Sequence, residues 1–244
     1  MAVQFRVDDL GAAPVAPPLS VADVHIWTFD TDHSDRLDNW MALLTADERD
    51  RVERFHFDIH RHRYAAAHAI TRLILGRYLG KPMRAPFVAG PQGKPGLPGE
   101  PLQFNLSHSE NTGMLGVTRQ MAIGVDVEAI KPDVEARSLA AQFFSARERD
   151  DLFALPEGRI QDGFFHLWTQ KEAYLKGRGD GVVYGLDHFD TEANPDRPAG
   201  LHLDRRDPLA AKQWHLTTLE APAGYRAAVA TRGRPTSIGQ FVVG

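Results

Sequence analysis

Cysteine is absent from the chain. Without thiols there is no disulfide and no thiolate metal site, which fits a reducing, cytoplasmic setting. Long apolar runs are missing as well. Every hydrophobic stretch is short and broken by charge, so no segment reads as membrane-spanning. The first ten residues carry Asp8 and Asp9 and lack the apolar stretch of a secretory signal. Positive charge is not in surplus: the formal net charge is −4, whereas general nucleic-acid binding asks for a basic surface. Neither Gly-x-Ser-x-Gly nor Gly-x-x-x-x-Gly-Lys-Ser/Thr occurs, which removes nucleophile-elbow hydrolases and P-loop nucleotide binders.

What remains is an ordinary globular composition, 43% hydrophobic and 25% charged over 244 residues, long enough for one large domain or two small ones. Residues 11–18 (GAAPVAPP) read as a flexible lead-in, and residues 90–101 (GPQGKPGLPGEP) as a loop. Val24, Ile26, Trp27 and Phe29 mark a short strand. Residues 61–79 carry apolar side chains at helical spacing, and residues 102–106, 114–118 and 123–128 read as strands. Thr45 with Glu48 forms a capping box, and Ser145 with Glu148 repeats it a hundred residues later. Each box precedes a helix with an aromatic, a polar residue and a base at i, i+4 and i+8: Tyr64, His68 and Arg72, then Trp168, Glu172 and Lys176. The pattern predicts an α+β protein of two related α/β halves, with a site at their interface. The expected divisions are a lead-in (1–20), a first half (21–119) and a second half (120–244).

Three segments carry chemistry. In Gly124-Val125-Asp126-Val127-Glu128 the strand period puts both acids on one face and the three apolar residues Ile123, Val125 and Val127 on the other. Two adjacent carboxylates call for a cation or a shared proton, or else for solvent at a strand edge. In Trp168-Thr169-Gln170-Lys171-Glu172-Ala173-Tyr174-Leu175-Lys176, Glu172 and Lys176 are four apart on a helix with buried aromatics beside them. Glu172 would give the Asp126 and Glu128 pair a third carboxylate, a set suited to Mg²⁺. Asn105-Leu106-Ser107-His108-Ser109 ends a strand with polar side chains, and Gly93-Lys94-Pro95 offers a loop lysine. A basic run, Arg49 to Arg63, is either a solvated helix face or a wall for phosphates. His56 and His60 have ligand spacing but lack the intervening glutamate and a third ligand of a zinc helix.

Taken jointly, residues 44–184 resemble the 4′-phosphopantetheinyl transferase superfamily in its long, monomeric, surfactin-synthetase-type branch. The carrying motifs are Gly124 to Glu128 and Trp168 to Lys176, with Gly93-Lys94-Pro95, Asn105 to Ser109, Phe143-Phe144-Ser145 and the fainter Gly224-Tyr225-Arg226-Ala227 beside them. The resemblance implies two pseudo-two-fold-related halves with coenzyme A in the cleft between them. It implies Mg²⁺ or Mn²⁺ on Asp126, Glu128 and Glu172, and catalytic roles for Glu172 and Lys176. It further implies coenzyme A contacts from Arg51, Arg61, Arg63, Lys94, Ser107, His108, Asp126, Lys171 and Lys176. The acceptor would be a serine on an acyl or peptidyl carrier protein. The same acids would also suit a Mg²⁺-dependent phosphohydrolase, and the cleft a silent coenzyme A- or carrier-binding module.

Overall fold

The computed structural model describes residues 3–12, 16–99 and 101–244. Chain order begins with β1 (Val3–Phe5), α1 (Val7–Ala12), β2 (Asp23–Asp30), α2 (Leu37–Leu43), α3 (Ala46–Glu53) and α4 (Asp58–Leu79). A small hairpin, β3 (Val88–Ala89) and β4 (Pro95–Gly96), leads into β5 (Gln103–Ser109) and β6 (Thr112–Thr118). The second half follows as β7 (Ile123–Ala129), α5 (Ala136–Phe143), α6 (Ala146–Phe153) and α7 (Ile160–Arg178). After it come β8 (Phe189–Thr191), β9 (Leu201–Asp204), α8 (Ala210–Gln213), β10 (Trp214–Thr218), β11 (Tyr225–Arg232) and β12 (Ser237–Val243).

The duplication read from the capping boxes extends to topology. Each half runs strand, three helices, two-stranded hairpin, then two antiparallel strands, with the short α8 inserted before the last two strands of the second half. The sheets match: β2-β6-β5 in the first half and β7-β11-β10 in the second, with β12 and β1 added outside β2. Both capping boxes form, Thr45 N–H donating to Glu48 at 2.9 Å and Ser145 N–H to Glu148 at 3.1 Å. Each capping glutamate is buried and also holds a cation of the long helix behind it. Glu48 accepts from Arg72 at 2.8 Å and from His68 at 3.1 Å, and Glu148 from Lys171 at 2.7 Å. A cap bond thus becomes a tertiary tie between a short helix and a long one.

The halves meet through the apolar face of β7. Ile123, Val125 and Val127 are fully buried with Val24, Ile26 and Met114 of the first sheet. Gly116 leaves the room they need, since a Cβ there would come within 2.6 Å of Val125.

Three expectations change. In place of a flexible lead-in, Val3–Phe5 pairs in parallel with β12, and Val7 and Leu10 of α1 are buried; residues 13–15 of that segment lie outside the described residues. The last strand returns to the first sheet, so the segment 120–244 is not confined to one half. The Gly/Pro-rich stretch builds the β3–β4 hairpin instead of running as plain loop. No helix among the described residues is long and apolar enough to cross a membrane.

Candidate functional site

The site forms where α7 crosses β7. Gly124 permits the crossing: a Cβ there would sit 2.1 Å from the Ala173 carbonyl oxygen and 2.2 Å from Gly177 N. Backbone thus packs on backbone, which brings the last turns of α7 over the acids of β7. Asp126 Oδ1 accepts from Lys176 Nζ at 2.5 Å and from Ser107 Oγ at 2.9 Å. Its Oδ2 is buried with no hydrogen-bonding partner. Two residues on, Glu128 accepts from Ser109 Oγ at 2.7 Å.

The electrostatics are those of crowded acids sharing too little positive charge. Burial first, and Asp126 second, push Glu128 up to about 7. The same two causes raise Glu172. Asp126 is raised by burial, against the pull of Lys176. Burial disfavours the charged form of Lys176, yet contact with Asp126 outweighs it and the net shift is upward. An orphaned carboxylate oxygen, plus two further acids coupled to it, is a donor set that fits a hard cation such as Mg²⁺. As arranged, no three His, Asp or Glu side chains among the described residues are grouped tightly enough to hold a metal ion. Lys176 supplies the counter-charge to Asp126.

Beside these acids lies a cavity of about 280 Å³, lined in part by Gly93, Lys94, Asn105, Glu172, Lys176 and Gly179. Lys94 reaches through it from the hairpin, donating to the carbonyls of Ile123 at 2.8 Å and Gly177 at 2.9 Å. Desolvation there lowers its ammonium to about 8. His108 alternates to the opposite face of β5 from Ser107 and Ser109. It is open to water at its edge, but partial desolvation, then the neighbours His68, Lys176 and Arg63, hold it below its ordinary value.

The expected residues therefore divide. Asp126, Ser107 and Lys176 are in direct contact; Glu128 and Glu172 lie beside them, and Lys94 shares the cavity with Glu172 and Lys176. Lys171 does not join them. It is fully buried on the other side of α7, its ammonium paired with Glu148 and donating to the carbonyls of Leu186 and Phe189. Adjacent helical residues point about 100° apart, so a lysine next to Glu172 faces the helix pack and not the cleft. Arg51 is exposed on α3. Arg61 is tied to Asp58 and to the carbonyl of Phe55. Arg63 pairs with Glu110 at 2.8 Å and reaches the surroundings of His108. Neither Arg51 nor Arg61 lines the cavity. The sequence marked the Asn105 to Ser109 segment but gave Asn105 and Ser109 no role of their own; their alternation with Ser107 along β5 was the available signal.

A duplicated α+β fold with acids and a lysine gathered between its halves defines a class, and comparison with known proteins gives that class its name. Residues 122–230 match the model of the 4′-phosphopantetheinyl transferase superfamily. The chain is 38% identical over 228 residues to the 4′-phosphopantetheinyl transferase HetI of Nostoc sp. (strain PCC 7120), covering 90% of this chain and 93% of that protein. It is 34% identical to psf-1 of Bacillus pumilus, covering 83% of this chain and 85% of that protein. Sfp of Bacillus subtilis (strain 168) is 29% identical, with 79% and 84% covered. The chain belongs to the 4′-phosphopantetheinyl transferase superfamily, a family of transferases.

Proposed function

We propose that the chain transfers the 4′-phosphopantetheine arm of coenzyme A to a serine hydroxyl of an apo carrier protein, releasing 3′,5′-ADP, with Mg²⁺ or Mn²⁺ as cofactor. The observation that carries this reading is the meeting of Asp126 and Lys176 at 2.5 Å beside an orphaned carboxylate oxygen and Glu172. That arrangement suits a polyanionic substrate, in a chain related to proteins that bear the transferase's name.

Asp126, Glu128 and Glu172 would hold the ion. When bound, Mg²⁺ would neutralise charge on the pyrophosphate of coenzyme A. Glu172, whose affinity for a proton is raised by burial and then by Asp126, would take the proton of the carrier's serine. The serine oxygen then bonds to the phosphorus that bears the pantetheine arm, and the bond from that phosphorus to 3′,5′-ADP breaks. Lys176, paired with Asp126 in the structure, would offset charge on the phosphates. Lys94, His108 and Arg63 would supply further donors around coenzyme A, with Arg51 and Arg61 as outer cations. Action as a cytoplasmic monomer belongs to the same proposal.

The test is release of 3′,5′-ADP from coenzyme A with and without an apo acyl or peptidyl carrier. Transfer predicts release only when the carrier is present. Equal release in its absence would make the enzyme a phosphohydrolase instead.

A further inference from the structure

One edge of β7 pairs with β11; the opposite edge joins no backbone ladder among the described residues. In the first half the corresponding edge, that of β2, is filled by β12. In the second half it is filled by side chains. Asn105 Oδ1 accepts from Val125 N–H at 2.8 Å, Ser107 Oγ from Val127 N–H at 3.4 Å, and Ser109 Oγ from Ala129 N–H at 3.2 Å. Lys94 Nζ takes the carbonyl of Ile123 on the same edge at 2.8 Å. Both strands alternate with period two, so three outward amides of β7 meet three successive side chains on one face of β5. Buried backbone amides left unpaired are costly, and this arrangement pairs them without a strand.

The two hydroxyls act twice. A serine has one hydrogen to give and two lone pairs to receive with. Ser107 gives its hydrogen to Asp126 at 2.9 Å and receives from Val127 N–H and from Lys176 Nζ at 3.0 Å, so its capacity is full. Ser109 gives its hydrogen to Glu128 at 2.7 Å and receives from Ala129 N–H. The amide bond fixes the hydroxyl, and the hydroxyl fixes the carboxylate.

We propose that Asn105, Ser107 and Ser109 form a register lock through which the first half aligns the acids of the second, and that Ser109 is a positioning residue for Glu128. A slip of one residue would turn Asp126 and Glu128 to the apolar face; the side-chain seam forbids it. The lock stands on the hydrogen bonds alone, while the consequence for a bound cation rests on the functional reading of Asp126 and Glu128.

The experiment titrates wild type, Ser109→Ala and Ser109→Thr with Mn²⁺ by electron paramagnetic resonance, without coenzyme A, and follows hydrogen exchange of the Val125, Val127 and Ala129 amides. Ser109→Ala is expected to weaken Mn²⁺ binding about tenfold, in the range for loss of a partner to a metal-ligating carboxylate, and to speed exchange at Ala129. Ser109→Thr, which keeps the hydroxyl, restores both. Ser109→Ala that binds Mn²⁺ as wild type does overturns the positioning role. Should Ser109→Ala fail to fold, wild-type exchange decides the lock: three protected amides support it, and exchange at the rate of exposed loop amides overturns it. Wild type that binds no Mn²⁺ while its amides stay protected overturns the metal reading, and with it the role of Ser109, but leaves the lock in place.

Discussion

Gly124 of β7 and Gly177 of α7 meet backbone to backbone, so closely that a Cβ on Gly124 would fall 2.2 Å from Gly177 N. No side chain in that contact can move aside, because the crowding atoms are main chain. Gly124→Ala is therefore expected to cost about 3 kcal/mol, the upper end for overpacking, in urea unfolding. Any folded fraction should lose about a hundredfold in transfer rate, since the lift of α7 carries Glu172 and Lys176 away from Asp126. A variant with wild-type stability would show that the crossing is looser than the structure has it.

Lys171 and Glu148 form a fully buried pair. Lys171→Met leaves a buried carboxylate without its cation, a loss of about 3–5 kcal/mol. Adding Glu148→Gln should recover part of that loss. The KM for coenzyme A in the folded fraction should stay near wild type. A raised KM with unchanged stability would return Lys171 to the cleft.

Glu128 gives a pH signature. Its folded value of about 7 lies above the ordinary 4.5, so between these limits the native state binds more protons than the unfolded one. Its contribution to stability therefore falls as pH rises through that window. In the presence of a chelator, wild type should lose stability relative to Glu128→Gln from pH 5 to pH 8, read as diverging urea midpoints. Added Mg²⁺ should remove the divergence. Parallel curves in the chelator would contradict the crowding of acids around Asp126.

Local signals were legible in the sequence. The boxes at Thr45 and Ser145, the face shared by Asp126 and Glu128, and the helix that carries Glu172 and Lys176 all follow from spacing within a few residues. The duplication was visible because it repeats such signals at a distance. Partners set by tertiary contact were not legible. Nothing near Lys171 announces Glu148, and the spacing that matched Arg72 with Lys176 conceals different duties. Arg72 closes on its own half's capping glutamate, whereas Lys176 turns to Asp126 and leaves Glu148 to Lys171. The return of Ser237–Val243 to the first sheet depends on the open edge of β2, which local pattern does not encode. Asn105 and Ser109 belong to a segment whose polar strand end was legible, but their duty toward the amides of β7 depends on a tertiary contact.

The most direct test of the central claim is the intact mass of an apo carrier protein after incubation with the enzyme, coenzyme A and Mg²⁺. The account predicts a gain of one phosphopantetheine arm at a serine, lost on chelation of the metal and in Glu172→Ala. A carrier of unchanged mass with active metal present, or full transfer by Glu172→Ala, would contradict it.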